Sequence, residues 1–399
     1  MQNRYMKDIY LLALVRSIRS FSFGYIAFLL PLYLKFIGFS TTLVGFYALA
    51  ATISSSILVL ISGYLGDLYS RKKTLIIMSF LPAIAYIILI ISHNIIIAFL
   101  SSMFGLSLSP MGGGAGGGPV APLQTAMVAS RTNKEERTKI YSYLTMIAII
   151  MAMSGSFLSS YIIKAFPKNY YYYLFDIAIA LSLFSIILLF FISEKPDKFN
   201  YKADFMPKKS AKNISKVAIA GLFGSLGLGI VLPLLPLYFK HIGANDYEIS
   251  IIYDLSYMAT SIALLLSNKL QHVFGYIKSI LILRSVGSLP LFLIPLIHSI
   301  VIDAGIYILR TAFYQAALPI RQNVSMELYS PEERSRGSSI TGIARRLPYG
   351  AATTIGSILF QIGMYFIAFF AASIISFLDP ILYYLFFKEI DNKNKLIPN

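Results

Sequence analysis

Apolar residues recur along the chain in runs of about twenty, and short polar or basic segments separate the runs. A helix of that length crosses a hydrocarbon layer about 30 Å thick. The pattern therefore predicts an all-α membrane protein with twelve transmembrane helices. The predicted spans, numbered 1 to 12, cover residues 9–34, 42–65, 74–92, 95–129, 139–163, 171–193, 217–239, 247–268, 278–297, 300–328, 338–361 and 363–387.

Composition agrees with a protein that has lipid as its solvent. Hydrophobic residues make up 57% of the 399 residues and charged residues only 13%, which is too few to cover a soluble surface. Arg4 and Lys7 run straight into a first span that is too long for a signal peptide, so we expect this span to be retained. The chain has no cysteine, which excludes disulfides, thiol nucleophiles and thiolate metal sites.

The basic residues are distributed unequally between the two sides of the predicted membrane. Of the 34 Lys and Arg residues, 23 fall in the terminal segments and loops of one side and four in those of the other. Cytoplasmic loops carry the excess of Lys and Arg. We therefore expect both termini in the cytoplasm of a multi-pass cell-membrane protein, and the net charge of +16 does not indicate a nucleic-acid partner.

Two segments of the chain repeat each other. Leu30–Gly38 (LPLYLKFIG) and Leu235–Gly243 (LPLYFKHIG) agree at seven of nine positions, at an offset of 205 residues. Pro122 and Pro319 are each followed by Glu-Glu-Arg at the same distance, now at an offset of 197. The difference of eight residues coincides with the glycine run at 112–118.

The repeat predicts two six-helix bundles related by a pseudo-twofold axis along the membrane normal. The first bundle covers residues 1–193 and the second covers residues 217–399. The lysine-rich segment 194–216 is predicted to be the cytoplasmic linker between them.

The first cytoplasmic loop, Gly63–Lys72, resembles the loop signature of the major facilitator superfamily. The matching residues are Gly63, Leu65, Asp67, Arg71 and Lys72. The resemblance implies the twelve-helix fold of that family, alternating access, and a conformational latch in this loop. It also implies that Asp67 lies against the cytoplasmic end of span 11 near Gly337, where free N–H groups suit a carboxylate. A solvated turn that only directs topology is the alternative.

Seven arginines fall inside the predicted spans, where an ionisable side chain costs at least about 2.5–3.5 kcal/mol. Counted from the start of span 1, Arg16 and Arg19 lie roughly 10 and 15 Å deep. Arg310 in span 10 lies at a similar depth to Arg19, and Arg321 follows three turns later. The remaining three are Arg284, Arg345 and Arg346.

In proteins of the resembled family, spans 1, 4, 7 and 10 line the central path. Arg19 and Arg310 would then face each other, with Arg16 and Arg321 as further ligands of a substrate. The repeat equates Arg321 with Gln124, which we add to the predicted binding residues. It also equates Arg16 and Arg19 with two glycines in span 7, Gly221 and Gly224, which would leave space opposite them.

Acidic residues in the spans are too few to neutralise these arginines. Asp379 and Asp176 belong to spans 12 and 6, which are peripheral in the resembled fold. The others are Asp254 and Glu327, with Asp303 at the outer edge. The surplus of positive charge favours an anionic substrate, because the guanidinium fork suits carboxylate and phosphate oxygens. The alternatives are buried ion pairs, and arginines that only snorkel to the surface, above all Arg284, Arg345 and Arg346.

Asp254 in span 8, roughly 10 Å from the outer face, is the candidate for proton coupling, because it is the acid best placed to change protonation at mid-cavity. A fixed ion pair with Arg310 is the alternative. The glycine run at 112–118 lacks the strand and the acidic residue of a dinucleotide site. It is expected either to break span 4 beside a cavity or to allow close helix packing.

These features favour a secondary active transporter for a small organic or phosphate-bearing anion, with proton coupling as an option. A multidrug or sugar permease of the same fold, or a channel or non-transporting receptor, is the alternative. No catalytic motif indicates an enzyme. We expect no cofactor, metal site or nucleic-acid partner, and a monomer surrounded by membrane lipid.

Overall fold

A computed structural model of the protein describes residues 2–68, 70–92, 94–106, 118–132, 134–193, 207–330 and 333–394. Within these ranges the chain is helical and contains no strand. Helices are the expected result for apolar runs in lipid, because a helix satisfies its own backbone hydrogen bonds. The predicted all-α fold class is confirmed.

The chain divides into two compact units. The first comprises residues 1–201 together with 245–254, and the second comprises residues 202–244 and 255–399. The helices that lie wholly in the first unit are α1 Gln2–Phe36, α2 Thr41–Leu68, α3 Arg71–Ile91, α4 Ile95–Leu100, α5 Ala121–Ala129, α6 Lys134–Ala165 and α7 Tyr170–Phe190.

The second unit contains the remaining helices, except that residues 245–254 at the start of α10 belong to the first unit. The helices are α8 Ala211–Val231, α9 Leu235–His241, α10 Asp246–Phe274, α11 Tyr276–Ser288, α12 Ile294–Ile297, α13 Ile300–Leu328, α14 Arg334–Gln361, α15 Tyr365–Phe387 and α16 Glu389–Asn394. Short 3-10 segments join α8 to α9 and α11 to α12.

Nine helical segments of the described chain are long and apolar enough to cross a membrane. Helices α13 and α14 are as long, but their charged residues lower their hydropathy. The remaining predicted span, span 4, contains α4 and α5. The described helices therefore fit the twelve predicted spans. Many large apolar side chains point outwards, including Val301 at 81% exposure and Ile91 at 76%, as expected of a surface that faces lipid.

Span 4 is not one continuous helix. Helix α4 passes into a 3-10 turn that ends at Gly105, whose φ of +75° is left-handed. Helix α5 begins only at Ala121. The sequence suggested an interruption at the glycine run, but residues 107–117, which hold most of that run, lie outside the described part of the chain.

The internal repeat is visible in matching local structures. Gly38 and Gly243 both end a helix in the left-handed region, with φ values of +99° and +101°. In both copies the N–H of the next residue donates to the carbonyl five residues back, at 2.9 Å. Only glycine adopts this conformation without strain, which explains why it is kept in both copies.

Hydrogen bonds and helix contacts inside the two units also correspond. The hydroxyl of Tyr33 donates to the carbonyl of Leu89 at 2.5 Å, and that of Tyr238 donates to the carbonyl of Ile294 at 3.2 Å. Both donor and acceptor are shifted by 205 residues. The repeat therefore reproduces tertiary contacts as well as sequence.

Close helix pairs recur in the same way. A Cβ on Gly24 would overlap the carbonyl oxygen of Ala152, and a Cβ on Gly229 would overlap that of Tyr349. The first pair joins α1 to α6 and the second joins α8 to α14. Glycine is required at both points because the two backbones touch.

A buried ion pair closes the end of the first unit that is predicted to be cytoplasmic. Arg131 Nε donates to Asp8 Oδ2 at 2.9 Å, and Arg131 Nη2 donates to the carbonyl of Ser193 at 2.6 Å. The repeat equates Asp8 with Asn213. In the second unit Asn213 Nδ2 donates to the carbonyl of Leu328 at 3.1 Å, so a neutral hydrogen bond replaces the ion pair.

Two carboxylates accept backbone hydrogen bonds at the predicted cytoplasmic end of the second unit. Glu333 accepts backbone N–H bonds from Lys208, Lys209 and Ser210 at 2.7–3.0 Å. Asp391 on α16 accepts bonds from Ile277 at 3.0 and 3.1 Å and from Lys278 at 3.0 Å. The first holds the entry to α8 and the second holds the entry to α11.

Candidate functional site

Arg310 is a buried cation with open donors. It lies on α13 with 1% of its surface exposed, and its Nε donates to the carbonyl of Gly287 at 2.6 Å. Its guanidinium carbon lies 5.2 Å from the centroid of the Tyr314 ring. Among the described residues, Nη1 and Nη2 have no hydrogen-bond partner. A buried fork of this kind is costly unless a ligand or water completes it.

Arg321, eleven residues further along α13, is held by a carboxylate. Its Nη1 lies 2.8 Å from both oxygens of Asp379 on α15. Arg284 on α11 donates to the same carboxylate, and also to the Tyr314 hydroxyl at 3.0 Å. The exposed fractions are 3% for Arg284, 4% for Arg321 and 0% for Asp379. One buried carboxylate is thus the counter-ion of two buried arginines.

Three expectations about the second half need correction. Arg284 does not snorkel, because Asp379 and Tyr314 hold it in the interior. Asp379, on a span that the resemblance made peripheral, is the counter-ion of Arg284 and Arg321, so the alternative of buried ion pairs holds for these two arginines. The predicted space beside Gly221 and Gly224 is also filled: a Cβ on Gly221 would meet Arg345 Cδ at 2.8 Å, and one on Gly224 would meet Asp379 Oδ2 at 2.9 Å.

The first unit holds the other predicted binding residues. Arg16 and Arg19 lie three residues apart on α1, both partly exposed. Among the described residues, Arg19 Nη1 has no hydrogen-bond partner, and neither polar atom of the Gln124 side chain has one. Gln124 lies on α5 with 5% of its surface exposed. The predicted approach of Arg19 to Arg310 stays a prediction.

Asp254 is buried, with 1% of its surface exposed. Its Oδ2 accepts the hydroxyl of Ser160 at 2.5 Å, while Oδ1 has no partner among the described residues. No ion pair of Asp254 is found in the described part of the chain. The hydrogen bond that this carboxylate accepts from Ser160 thus comes from a neutral hydroxyl and not from a cation.

The loop motif is described only in part. The side chain of Asp67 lies outside the described residues. Gly63 has open space where a Cβ would stand, whereas a Cβ on Gly66 would overlap Leu123. Lys72 Nζ donates to the carbonyl of Phe190 at 2.8 Å. Lys72 therefore caps the end of α7, a contact that the motif did not predict.

The expected partner of the motif is also different in detail. Helix α14 begins at Arg334, so Gly337 already lies in its first turn. The N–H of Gly337 donates to the carbonyl of Glu333 at 2.8 Å. The expectation of a free N–H at this glycine was therefore wrong, because the helix starts earlier than the apolar pattern indicated. Arg71, the remaining motif residue, is the first residue of α3.

Sequence reasoning missed the role of Asp379. The signal was present, since an aspartate in an apolar span is costly unless it is paired. What the pattern could not supply was the position of span 12 relative to spans 9 and 10. As for metal ions, no group of three or more His, Cys, Asp or Glu side chains that could hold one is found in the part of the chain that the structure describes.

Solved structures of similar fold cover nearly the whole chain. A crystal structure of a mutant of the nucleoside transporter NupG has a TM-score of 0.75 and 12% identity, and covers 95% of this chain and 100% of its own. A D-xylose-proton symporter has a TM-score of 0.71 and 15% identity, with 94% and 97% covered. An auto-inhibited POT family peptide transporter has a TM-score of 0.74 and 11% identity, with 96% of each covered.

At these identities the structures establish the fold alone. No curated protein sequence matches the chain significantly. The sequence profile of the Major Facilitator Superfamily matches residues 12–353, and again residues 217–398. Together the two matches cover both halves, which carry the matched sequence and the matched contacts described above. The chain therefore belongs to the Major Facilitator Superfamily.

Proposed function

We propose that the protein is a secondary active transporter that carries a small organic or phosphate-bearing anion by alternating access. The observation that supports this most directly is Arg310, whose Nη1 and Nη2 lack partners among the described residues at 1% exposure. An unpaired guanidinium in a membrane span has a functional reason by default. Its planar fork suits the paired oxygens of carboxylate or phosphate.

The proposed substrate ligands come from both halves of the sequence. Arg310 and Arg321 are the ligands from α13, and Arg16, Arg19 and Gln124 are those from α1 and α5. The similar solved structures are those of a nucleoside transporter, a D-xylose-proton symporter and a peptide transporter. One fold thus serves different substrates, and the substrate has to be argued from the side chains.

Asp254 is the proposed proton-coupling residue. Its support is burial combined with an oxygen that lacks a partner among the described residues. The proposed latch consists of Gly63, Asp67, Arg71 and Lys72, which would stabilise one state of the transport cycle. The protein is proposed to work in the cell membrane as a monomer with both termini in the cytoplasm.

Counterflow in liposomes tests the transport proposal. Purified protein is reconstituted with an unlabelled anion inside, and uptake of the same labelled anion is measured across a panel of organic acids and phosphate esters. A carrier exchanges label against the gradient, whereas a channel does not. Sugars and hydrophobic cations belong in the same panel, and exchange of one of these alone would favour a sugar or multidrug permease.

Arginine variants test the binding residues. Arg19→Ala and Arg310→Ala are each expected to abolish exchange of the anion. Arg346→Ala is the matched control, because Arg346 lies partly exposed on α14 and is not a proposed ligand. Thermal unfolding verifies that every variant is folded. Exchange at the parent rate in both Arg19→Ala and Arg310→Ala would refute the anion proposal.

Asp254→Asn tests coupling separately. If Asp254 carries the coupled proton, uptake by the parent responds to a pH gradient and uptake by the variant does not, although counterflow persists. Asp176→Asn is the control, because Asp176 is exposed on α7. A variant that responded to the gradient as the parent does would exclude Asp254 from coupling.

A further inference from the structure

The second unit contains more buried positive charge than Asp379 neutralises. We define the arginine cluster as Arg284, Arg310, Arg321 and Asp379, each at most 4% exposed. Three guanidinium groups and one carboxylate leave two positive charges. Because arginine is not deprotonated in proteins, this surplus cannot be removed by loss of a proton.

Asp379 is the one acid in the described part of the chain that forms an ion pair with arginines of the cluster. Asp303 is buried seven residues before Arg310 on the same helix, but neither of its oxygens accepts a hydrogen bond from the cluster among the described residues. Glu327 is exposed. Arg345 packs beside Arg321 next to Gly221, so it adds positive charge and compensates none. Uncompensated charge is costly in a low-dielectric interior. Within the described residues the cluster keeps a surplus of positive charge, which a bound anion would neutralise.

The cluster also contains N–H groups that can donate to a ligand. The atoms that lack hydrogen-bond partners among the described residues are Arg310 Nη1 and Nη2, Arg321 Nη2 and Arg284 Nε. Two of the guanidinium groups stand close to one ring: the Arg284 carbon lies 4.3 Å and the Arg310 carbon 5.2 Å from the centroid of Tyr314. Open N–H groups of Arg284 and Arg310 thus lie near the Tyr314 ring, and the guanidinium carbon of Arg321 lies 4.8 Å from the centroid of the Tyr383 ring.

We propose that the substrate anion carries two negative charges, as a phosphate monoester or a dicarboxylate does, and that the arginine cluster selects it over monoanions. This inference rests on the proposed function, in which Arg310 binds the substrate. The cluster supplies two surplus charges and at least four open donors, and a dianion is the ligand that matches both. Asp379 sets this selectivity, because it cancels one of the three buried charges.

Matched pairs of ligands test the charge requirement. Phenyl phosphate is paired with methyl phenyl phosphate, and succinate with monomethyl succinate. At pH 7.5 the first member of each pair is a dianion, since the second pKa of a phosphate monoester is about 6, and the second member is a monoanion. Thermal unfolding of the detergent-solubilised protein is recorded as a function of ligand concentration, because a bound ligand raises the apparent stability.

The dianion of at least one pair is expected to bind about tenfold or more tightly than its monoanion, as is typical when one charge-assisted hydrogen-bond partner is lost. Arg310→Gln lowers the surplus from two charges to one, and should remove most of this preference. Arg310→Lys keeps the charge without the fork, and should keep the preference at lower affinity. Arg346→Gln is the control, and should behave as the parent.

Each outcome decides one question. If the dianion and the monoanion bind equally in every pair that binds, the charge inference fails while the anion transporter stands. If no anion stabilises the protein and no anion exchanges in counterflow, both proposals fail. A dianion preference that persists unchanged in Arg310→Gln would overturn the assignment of the preference to the arginine cluster. The unfolding temperature of each variant without ligand shows whether it is folded.

Discussion

A carboxylate buried between two guanidinium groups compensates charge that neither water nor lipid can screen. Asp379 occupies this position between Arg284 and Arg321, at 0% exposure. The pair Arg321 and Asp379 joins α13 to α15, and Arg284 joins α11 to the same point. The aspartate therefore links three helices of the second unit through one side chain.

Asp379→Asn is expected to destabilise the protein strongly. The change leaves two buried arginines without a counter-ion, and breaking a buried ion pair in this way typically costs about 3–5 kcal/mol of the free energy of unfolding. Thermal or denaturant unfolding in detergent measures the loss. Asp176→Asn makes the same chemical change on the exposed face of α7 and should be nearly neutral. Equal stability of the two variants would show that the ion pairs contribute nothing.

At the scale of the element, the two halves cap the N-termini of the equivalent helices α3 and α11 with different side chains. Helix α3 begins after Ser70, whose side chain accepts the N–H of Lys73 at 3.2 Å. The equivalent position before α11, at an offset of 205, is Gly275, which has no side chain and a φ of +86°. Asp391 on α16, more than a hundred residues later in the chain, supplies the missing acceptor.

Asp391→Ala and Ser70→Ala are therefore expected to cost about 1 kcal/mol each, the usual loss on removal of an N-terminal capping side chain. Asp391→Ala should in addition release α16. Urea unfolding measures the first effect, and limited proteolysis after α15 measures the second. Glu389→Ala is the control, since Glu389 is exposed on the same short helix. Faster cleavage in the control than in Asp391→Ala would contradict this assignment.

The contribution of Glu333 to the stability of the protein, through its hydrogen bonds at the entry to α8, depends on pH. Burial alone would raise the pKa of the Glu333 carboxyl, but the backbone N–H groups of Lys209, Ser210 and Lys208 outweigh it and lower this pKa from 4.5 to about 2. A depressed pKa in the folded state stabilises the protein above the unfolded value. This contribution is full above about pH 4.5, and is lost as the pH falls towards 2.

Glu333→Gln tests this window. The difference in unfolding free energy between parent and variant should be constant above about pH 5 and should shrink below pH 4.5, because the parent then loses the charged acceptor. Unfolding curves from pH 7 down to the lowest pH at which the parent is folded measure the difference. Glu327→Gln, at an exposed position, should show no such window. A difference that stayed constant down to low pH would contradict the assignment.

At the scale of the whole molecule, the fold followed from the sequence because its signals are long and redundant. Twenty-residue apolar runs and the repeat at Leu30–Gly38 each indicated the same twelve helices. The site was harder to predict, because depth along a helix does not say which helix lies beside it. Arg284 and Arg310 differ little in sequence context, yet one is paired with Asp379 and the other is not. The contact of Asp391 with the start of α11 could not be predicted for the same reason.

The orientation of the whole chain is a prediction that the absence of cysteine makes simple to test. Lys and Arg are concentrated on one predicted side of the membrane, so that side should be cytoplasmic. With no native cysteine, single variants Lys168→Cys and Lys388→Cys have no background, and both positions are exposed. A membrane-impermeant maleimide applied to intact cells should label Lys168→Cys at once, and Lys388→Cys only after permeabilisation.

The reverse pattern would invert the topology and the direction assigned to every loop. Labelling of both variants in intact cells would place the two positions on one side, which requires an even number of spans between them, whereas the predicted spans 6 to 12 make that number odd.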